Sequence, residues 1–422
     1  MHFAWVYEHA VDLDGLRRFY RNLGDGLFGR RIERSPLPFA RSRWVSARDT
    51  SGIEVEEHAR PRAELTDWLD ERSQIPVDPE HGPVLHLGVL PLTDGSTAVT
   101  LVMSHYVLDG VGGVLNSIEA ILGKTRDLGY PPPHSRTRLR AVVQDAVQTV
   151  RDAPEVARAL AAGMQAARRS RQDVAPSPAS RSAVGGDGDG GDLVIVPSAT
   201  GRIDAADWEA RAQALGGTSN ALAVGLTARL GEHMGRRRDD GTVTVQVVVN
   251  QRTEGDTRAV AVSATRVSID PTQVTTDLRD TRTAIKQALT TLRETPDPAA
   301  LLAPLTPFTP KRTWKRLIDA GHNDPDPPAI CSNLGDIGPV LTRPDGTQCD
   351  WVYARGTRQQ VTRQSLEQMG GQLQVLCLLA PALGKVCVHV LAYQLGGENT
   401  KPALRELLAR TLAEFDLAGE ID

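Results

Sequence analysis

A chain of 422 residues exceeds what one hydrophobic core usually organises, which points to two domains or to one domain built from two similar halves. With 40% hydrophobic, 24% charged and only 4% aromatic residues, the composition is globular and offers no stacking platform for single-stranded nucleic acid, so nucleic acid is not the expected partner. The net charge of -4 has no strong sign, although Arg17, Arg18, Arg21, Arg30, Arg31 and Arg34 cluster near the start, as a solvated helix face or as a patch for coenzyme A phosphates or an acidic carrier protein.

In chain order, MHFAWVYEHAVDLDG meets Glu8 and Asp12 too early for the apolar core of a signal peptide, so a cytoplasmic location is expected. Helical spacing of apolar residues from Ala10 to Leu23 predicts a helix, closed by the glycine-bearing run NLGDGLFG. HLGVLPL and STAVTLVMSHY, either side of a TDG turn, predict a hairpin. In its second strand Val99, Leu101 and Met103 alternate with Ala98, Thr100 and Val102, so that strand is expected to be central and covered on both faces. After Asp109 and Gly110, the positions Val111, Val114, Ile118 and Ile121 adopt helical spacing, so strand passes directly into helix.

Leu139, Val142, Val143, Val147 and Val150 mark a further helix, and Pro154, suited to a first turn, opens another that runs to about Arg171. The small, polar, glycine-rich run at 173–192 cannot bury enough apolar area to offset chain entropy. It is expected to be a flexible linker between an N-terminal subdomain, 1–172, and a C-terminal one, 193–422. The second half reads as a strand near Leu193 to Val196, a helix around Trp208, and a helix from Ser219 to His233 capped by Thr218 or Ser219. The half-exposed strand TVTVQVVVN follows, then a strand to Ile269, a helix from Leu278 to Leu292 and a strand from Ala329 to Leu334. Pro381, Gly384 and Lys385 interrupt the apolar stretch from Gln374 to Tyr393, making it a hairpin rather than a transmembrane segment, and a helix near Pro402 to Phe415 ends the chain. The class is mixed α/β.

Cys331, Cys349, Cys377 and Cys387 lack metal-ligand spacing, GEHMG lacks the second histidine of a zinc helix, and GGDGDGGD follows no strand. No metal and no bound cofactor are expected. One run combines a titratable group with a strand-to-helix junction: SHYVLDG, from Ser104 to Gly110. His105 there can exchange a proton near neutral pH, Asp109 needs a partner if buried, and Gly110 lets the backbone turn where a Cβ would clash.

The HxxxDG pattern resembles that of the chloramphenicol-acetyltransferase-like superfamily, which includes condensation domains, wax ester synthases and polyketide-associated acyltransferases. IPVDPEHGPVLHLGVL upstream, and GTSNALAVGLTARL, VVVNQR, CSNLGDIGP and GGQLQVLCLLAPALGKVCVHV downstream, are similar in order to the family's core segments, with CSNLGDIGP as the crossover strand. The resemblance implies two similar subdomains in a V-shaped arrangement, with a central tunnel and His105 at its middle. It further implies an acyl donor on coenzyme A or a phosphopantetheinyl carrier protein, an alcohol or amine acceptor, and an acyl transfer with His105 as general base. Asp109 would pair structurally with Arg252, or second with Arg258, and Ser332 and Asn333 are candidate oxyanion or tunnel residues, Asn333 also fitting turn chemistry. Cyclisation, dehydration or epimerisation of a carrier-bound substrate, and a non-catalytic carrier-binding module, are the alternatives. Two departures stand out: Ser104 replaces the first of the two adjacent histidines common in relatives, and the plant-type DFGWG is absent.

Overall fold

The computed structural model describes residues 1–47, 52–173, 192–253, 255–294, 302–309 and 326–422, with the backbone only at 165–173. The first part of the chain supplies strands β1 (His2–Tyr7), β2 (Arg30–Glu33), β3 (Arg43–Ser46), β4 (Ile53–Val55), β5 (Leu85–Pro91) and β6 (Thr97–Met103). Its helices are α1 (Leu13–Gly24), α2 (Leu65–Ser73), α3 (Gly110–Ile121) and α4 (Arg138–Asp173). The second part supplies β7 (Ser198–Asp204), α5 (Ala205–Ala214), α6 (Ser219–His233), β8 (Val243–Asn250), β9 (Val262–Ile269) and α7 (Arg279–Glu294). It continues with β10 (Ala329–Asp336), β11 (Trp351–Arg355), α8 (Arg363–Gln368), β12 (Gln372–Ala380), β13 (Lys385–Tyr393), α9 (Lys401–Glu414) and β14 (Gly419–Ile421).

Two large sheets result, one in the order β11-β1-β6-β5-β4 and the other β14-β7-β13-β12-β10-β8-β9, while β2 and β3 pair as a separate two-stranded sheet. All seven residues of β6 are buried and the strand lies third of five, as its two apolar faces require. Gly95, at φ 87, makes the tight turn that returns β5 into β6. β1, whose HFAWVY run has no alternation to announce it, is also buried throughout and lies between β6 and β11.

That pairing with β11 joins the halves. CSNLGD forms β10, which runs parallel to both β8 and β12 and stays in the larger sheet, so it is not the crossing strand. The crossing strand is β11, from DWVYARG, antiparallel to β1 with His2 opposite Arg355. β12 serves both cores: Leu373, Val375 and Cys377 face one, while Leu376, Leu378 and Ala380 face the other.

Three local expectations change. The strand placed near Leu193 begins instead at Ser198, after Pro197, which has no N–H to give a ladder. β8 is more covered than its alternation suggests: Thr244 is buried beside Val243 and Val245, its hydroxyl donating to Asp326 at 2.7 Å and accepting from Arg238 over that face. Pro154 does not open a new helix. It lies inside α4, which runs unbroken through it, because a proline removes one hydrogen bond while helical spacing continues on both sides. Of the expected linker, only Asp173 and Asp192 are described; 174–191 lie outside the described residues. No helix among the described residues is long and apolar enough to cross a membrane.

Candidate active site

β6 delivers the chain to the site with little freedom. Its ladder ends at Met103, and the Ser104 carbonyl then accepts from the N–H groups of Val107 (3.1 Å) and Leu108 (3.3 Å). This tight turn buries Ser104, Val107 and Leu108 and turns His105 and Tyr106 outward, so that Tyr106 is 75% exposed and His105 is also exposed. Ser104 is only 1% exposed. Protein packing nonetheless strips enough water from the imidazole to lower its pKa below the ordinary 6.5, with the Met1 ammonium adding to the effect and Asp109 opposing it. His105 is therefore a neutral, reachable imidazole at neutral pH.

Asp109 closes the turn and caps α3, its carboxylate accepting from the Gly112 N–H at 2.7 Å. The other carboxylate oxygen accepts from Arg252 at 2.6 Å and from the Ala261 N–H at 2.6 Å, and the Asp109 N–H donates to the Ala259 carbonyl at 2.9 Å. Asp109 is fully buried and the Arg252 side chain is 2% exposed. Arg252 also donates to the carbonyls of Asp256 and Arg258, which folds the loop after β8 around the pair. Arg258, the second candidate partner, instead pairs with Asp256 and is largely exposed.

Gly110 has no left-handed backbone. Its role is spatial: a Cβ there would come within 2.9 Å of the Met1 Cε and 3.0 Å of the Leu334 Cδ2. Leu334 belongs to β10, so the end of that strand meets the start of α3. On β10 the Asn333 side-chain oxygen accepts from the Gly335 N–H at 2.9 Å, which is turn chemistry, and Ser332 is part-buried one position earlier.

Arg30 is the residue sequence reasoning missed, having grouped it with a basic surface cluster. It is fully buried, stacks at 4.4 Å on Trp44, and donates to the Val107 carbonyl (3.0 Å) of the histidine turn and to the Thr257 carbonyl (2.5 Å) of the Arg252 loop. An arginine following the apolar Leu27 and Phe28 is the only sequence signal it carries. The rest of the cluster is partly neutralised, Arg17 by Asp14, Arg18 by Asp12 and Arg34 by Glu80. The cysteines offer no nucleophile: all four are buried, and burial pushes Cys331 up to about 11, Cys387 up to about 12, and Cys349 and Cys377 higher than their usual range. Among the described residues no His, Cys, Asp and Glu cluster could hold a metal ion.

Neither a family model nor a curated protein matches the sequence. Solved structures match it over nearly its whole length. The first condensation domain of the calcium-dependent antibiotic synthetase, in complex with a substrate analogue, aligns at 15% identity and TM-score 0.57, covering 99% of this chain and 93% of that one. The chain has the chloramphenicol-acetyltransferase-like fold. The same fold appears in the condensation domain of the Monacolin K polyketide synthase MokA (13% identity, TM-score 0.53, covering 98% of this chain and 90% of that one). It appears again in the wax ester synthase/diacylglycerol acyltransferase of Marinobacter aquaeolei VT8 (13%, TM-score 0.51, 98% and 93%). In this chain the fold places His105 where a strand of one half, the first turn of α3 and the loop after β8 of the other half converge.

Proposed function

We propose that this protein is an acyltransferase in which His105 is the general base, moving an acyl group from a thioester on coenzyme A or a carrier-protein arm to a hydroxyl or amine. The observation that carries this reading is a neutral, solvent-reachable imidazole on a turn whose carbonyls and carboxylate are held from beneath by two buried arginines, Arg30 and Arg252. The acceptor heteroatom attacks the thioester carbonyl as its proton passes to an imidazole nitrogen. The tetrahedral intermediate then collapses, the C–S bond breaks, and the same proton returns to the departing thiolate. Ser332 and the Asn333 amide, on the β10 end that meets α3, are the proposed oxyanion donors.

The burial of Ser104 beside the base, and of all four cysteines with raised pKa values, supports direct transfer in a ternary complex. The likeness to condensation domains and to a wax ester synthase supports both an amine and an alcohol as acceptor class. The test is mass spectrometry on mixtures of the protein with acyl thioesters and candidate alcohols or amines. Ester or amide product that depends on His105, without a stable acyl adduct when thioester is supplied alone, is the expected result. An acyl-enzyme that forms without acceptor and is consumed when acceptor is added would replace direct transfer by a covalent route.

A further inference from the structure

The apolar residues that announce α4 do not all face the protein. Ala141, Asp145 and Ala159 face inward, where Asp145 binds Ser35 and Arg136, and Arg41 bridges Asp152 and Glu155. On the open side Leu139, Val143, Ala146 and Val150 are all exposed, and Ala153, Ala157, Leu160 and Met164 continue the row. Their spacing alternates four and three residues without a break, which is the a and d pattern of a helix seam sustained over nearly four heptads. The row is about 38 Å long at ~1.5 Å per residue. Among the described residues none covers Leu139, 75% exposed, or Val150, 72% exposed.

We propose that this seam pairs with the α4 helix of a second copy of the chain, antiparallel, to form a two-fold dimer. Antiparallel pairing sets Leu139 opposite Met164 and Val143 opposite Leu160, large against large. Ala146 then meets Ala157 and Val150 meets Ala153, so the axes approach closely at the centre where the side chains are small. Each contact joins an a position to a d position, as that orientation requires. Among the positions flanking the seam only Arg140 is charged; Val142, Val147, Thr149, Pro154 and Val156 are not, so nothing repels an identical helix. The helix dipoles also oppose one another in this arrangement and add in the parallel one.

Sedimentation of the full chain across the micromolar range tests the pairing. The wild type is expected at twice the chain mass, and Val143→Glu/Val150→Glu at once the chain mass with unchanged circular dichroism, since both positions are exposed in the single chain. Oxidation of Val143→Cys/Leu160→Cys should give a disulfide-linked dimer that Val143→Cys alone does not form, and this readout decides the matter even if the glutamate variant fails to fold. A wild-type chain that stays at single mass overturns the proposal, whether or not it floats with phosphatidylglycerol vesicles, the other occupant that Arg138, Arg140, Arg151 and Arg158 would suit. A dimer unaffected by the glutamates, or one linked through Val143→Cys alone, overturns it equally.

Discussion

His105 and Asp109 are four positions apart and do opposite work. The imidazole is exposed and in the proposed reaction it cycles a proton, so His105→Ala should leave melting unchanged while product formation falls roughly 10²–10⁴-fold. The sign of its pKa shift fixes the pH profile: lowered below 6.5 in the folded protein, the base is already free at neutral pH. The half-maximal rate should therefore fall on the acid side of the ordinary histidine value, with the rate climbing through acid pH and levelling by neutral pH and above, measured as kcat/KM against pH for any active donor and acceptor pair. Asp109 is fully buried on three donors outside its own backbone, so its effect is structural. Asp109→Asn should cost about 3–5 kcal/mol of stability by leaving Arg252 buried without its counter-charge. Because the two act as one unit, Arg252→Ala on top of Asp109→Asn should cost much less than the sum of the single changes, as read from chemical denaturation. An unshifted melting point with a moved pH profile would instead make Asp109 a direct modulator of the base.

At the scale of elements, the first turn of α3 explains why glycine recurs there. A Cβ on Gly112 would come within 2.6 Å of the Leu108 Cδ1 and 3.0 Å of the Arg252 Cζ, so helix, histidine turn and Arg252 loop touch with no room between them. Gly112→Ala should displace the guanidinium from Asp109 and cost about 1–3 kcal/mol by overpacking, with turnover falling alongside stability. At Gly110 the nearest atoms are the movable ends of Met1 and Leu334, so Gly110→Ala should be the milder change. Equal effects in thermal melts and rate assays would mean that the Arg252 loop yields more easily than its hydrogen bonds to the Asp256 and Arg258 carbonyls suggest.

The whole molecule is held at the β1–β11 junction by polar groups that sequence patterning ignores. Arg355 on β11 binds Asp70 of α2 at 2.5 Å and Ser198 of β7 at 2.6 Å, and Lys401 of α9 reaches Asp70 at 2.6 Å. Fully buried beside them are His2, bonded to Thr100, and His389, bonded to Thr200. Burial and the neighbouring Arg355 charge hold both histidines well below 6.5. A folded-state pKa below the unfolded one gives stability that is complete above about 6.5 and drains away as pH falls, because the unfolded chain binds more protons. Each histidine should add up to about 1.4 kcal/mol of destabilisation per pH unit in that window. Denaturation midpoints of the wild type should fall more steeply on acidification than those of His2→Gln/His389→Gln; parallel slopes would place the acid sensitivity elsewhere.

By itself the sequence determined whatever depends on local periodicity and chemistry. The β5–β6 hairpin, the passage from strand to α3, the Thr218 cap on α6 and the β12–β13 hairpin could be read because alternation, helical spacing and capping residues act over a few positions. HxxxDG marked the turn that carries His105, and the motif's order among its neighbours anticipated the fold. Only the tertiary structure decided which side chains meet across long separations. Arg30 looked like one of six clustered arginines until the fold buried it under the histidine turn, 77 residues from the Val107 carbonyl it binds. β11 entered the first half's sheet because edge pairing depends on where the chain returns in space, a matter on which its own alternation is silent. The outer face of α4 carries apolar spacing as regular as that of a buried helix, and only the packing around it shows that this face meets water.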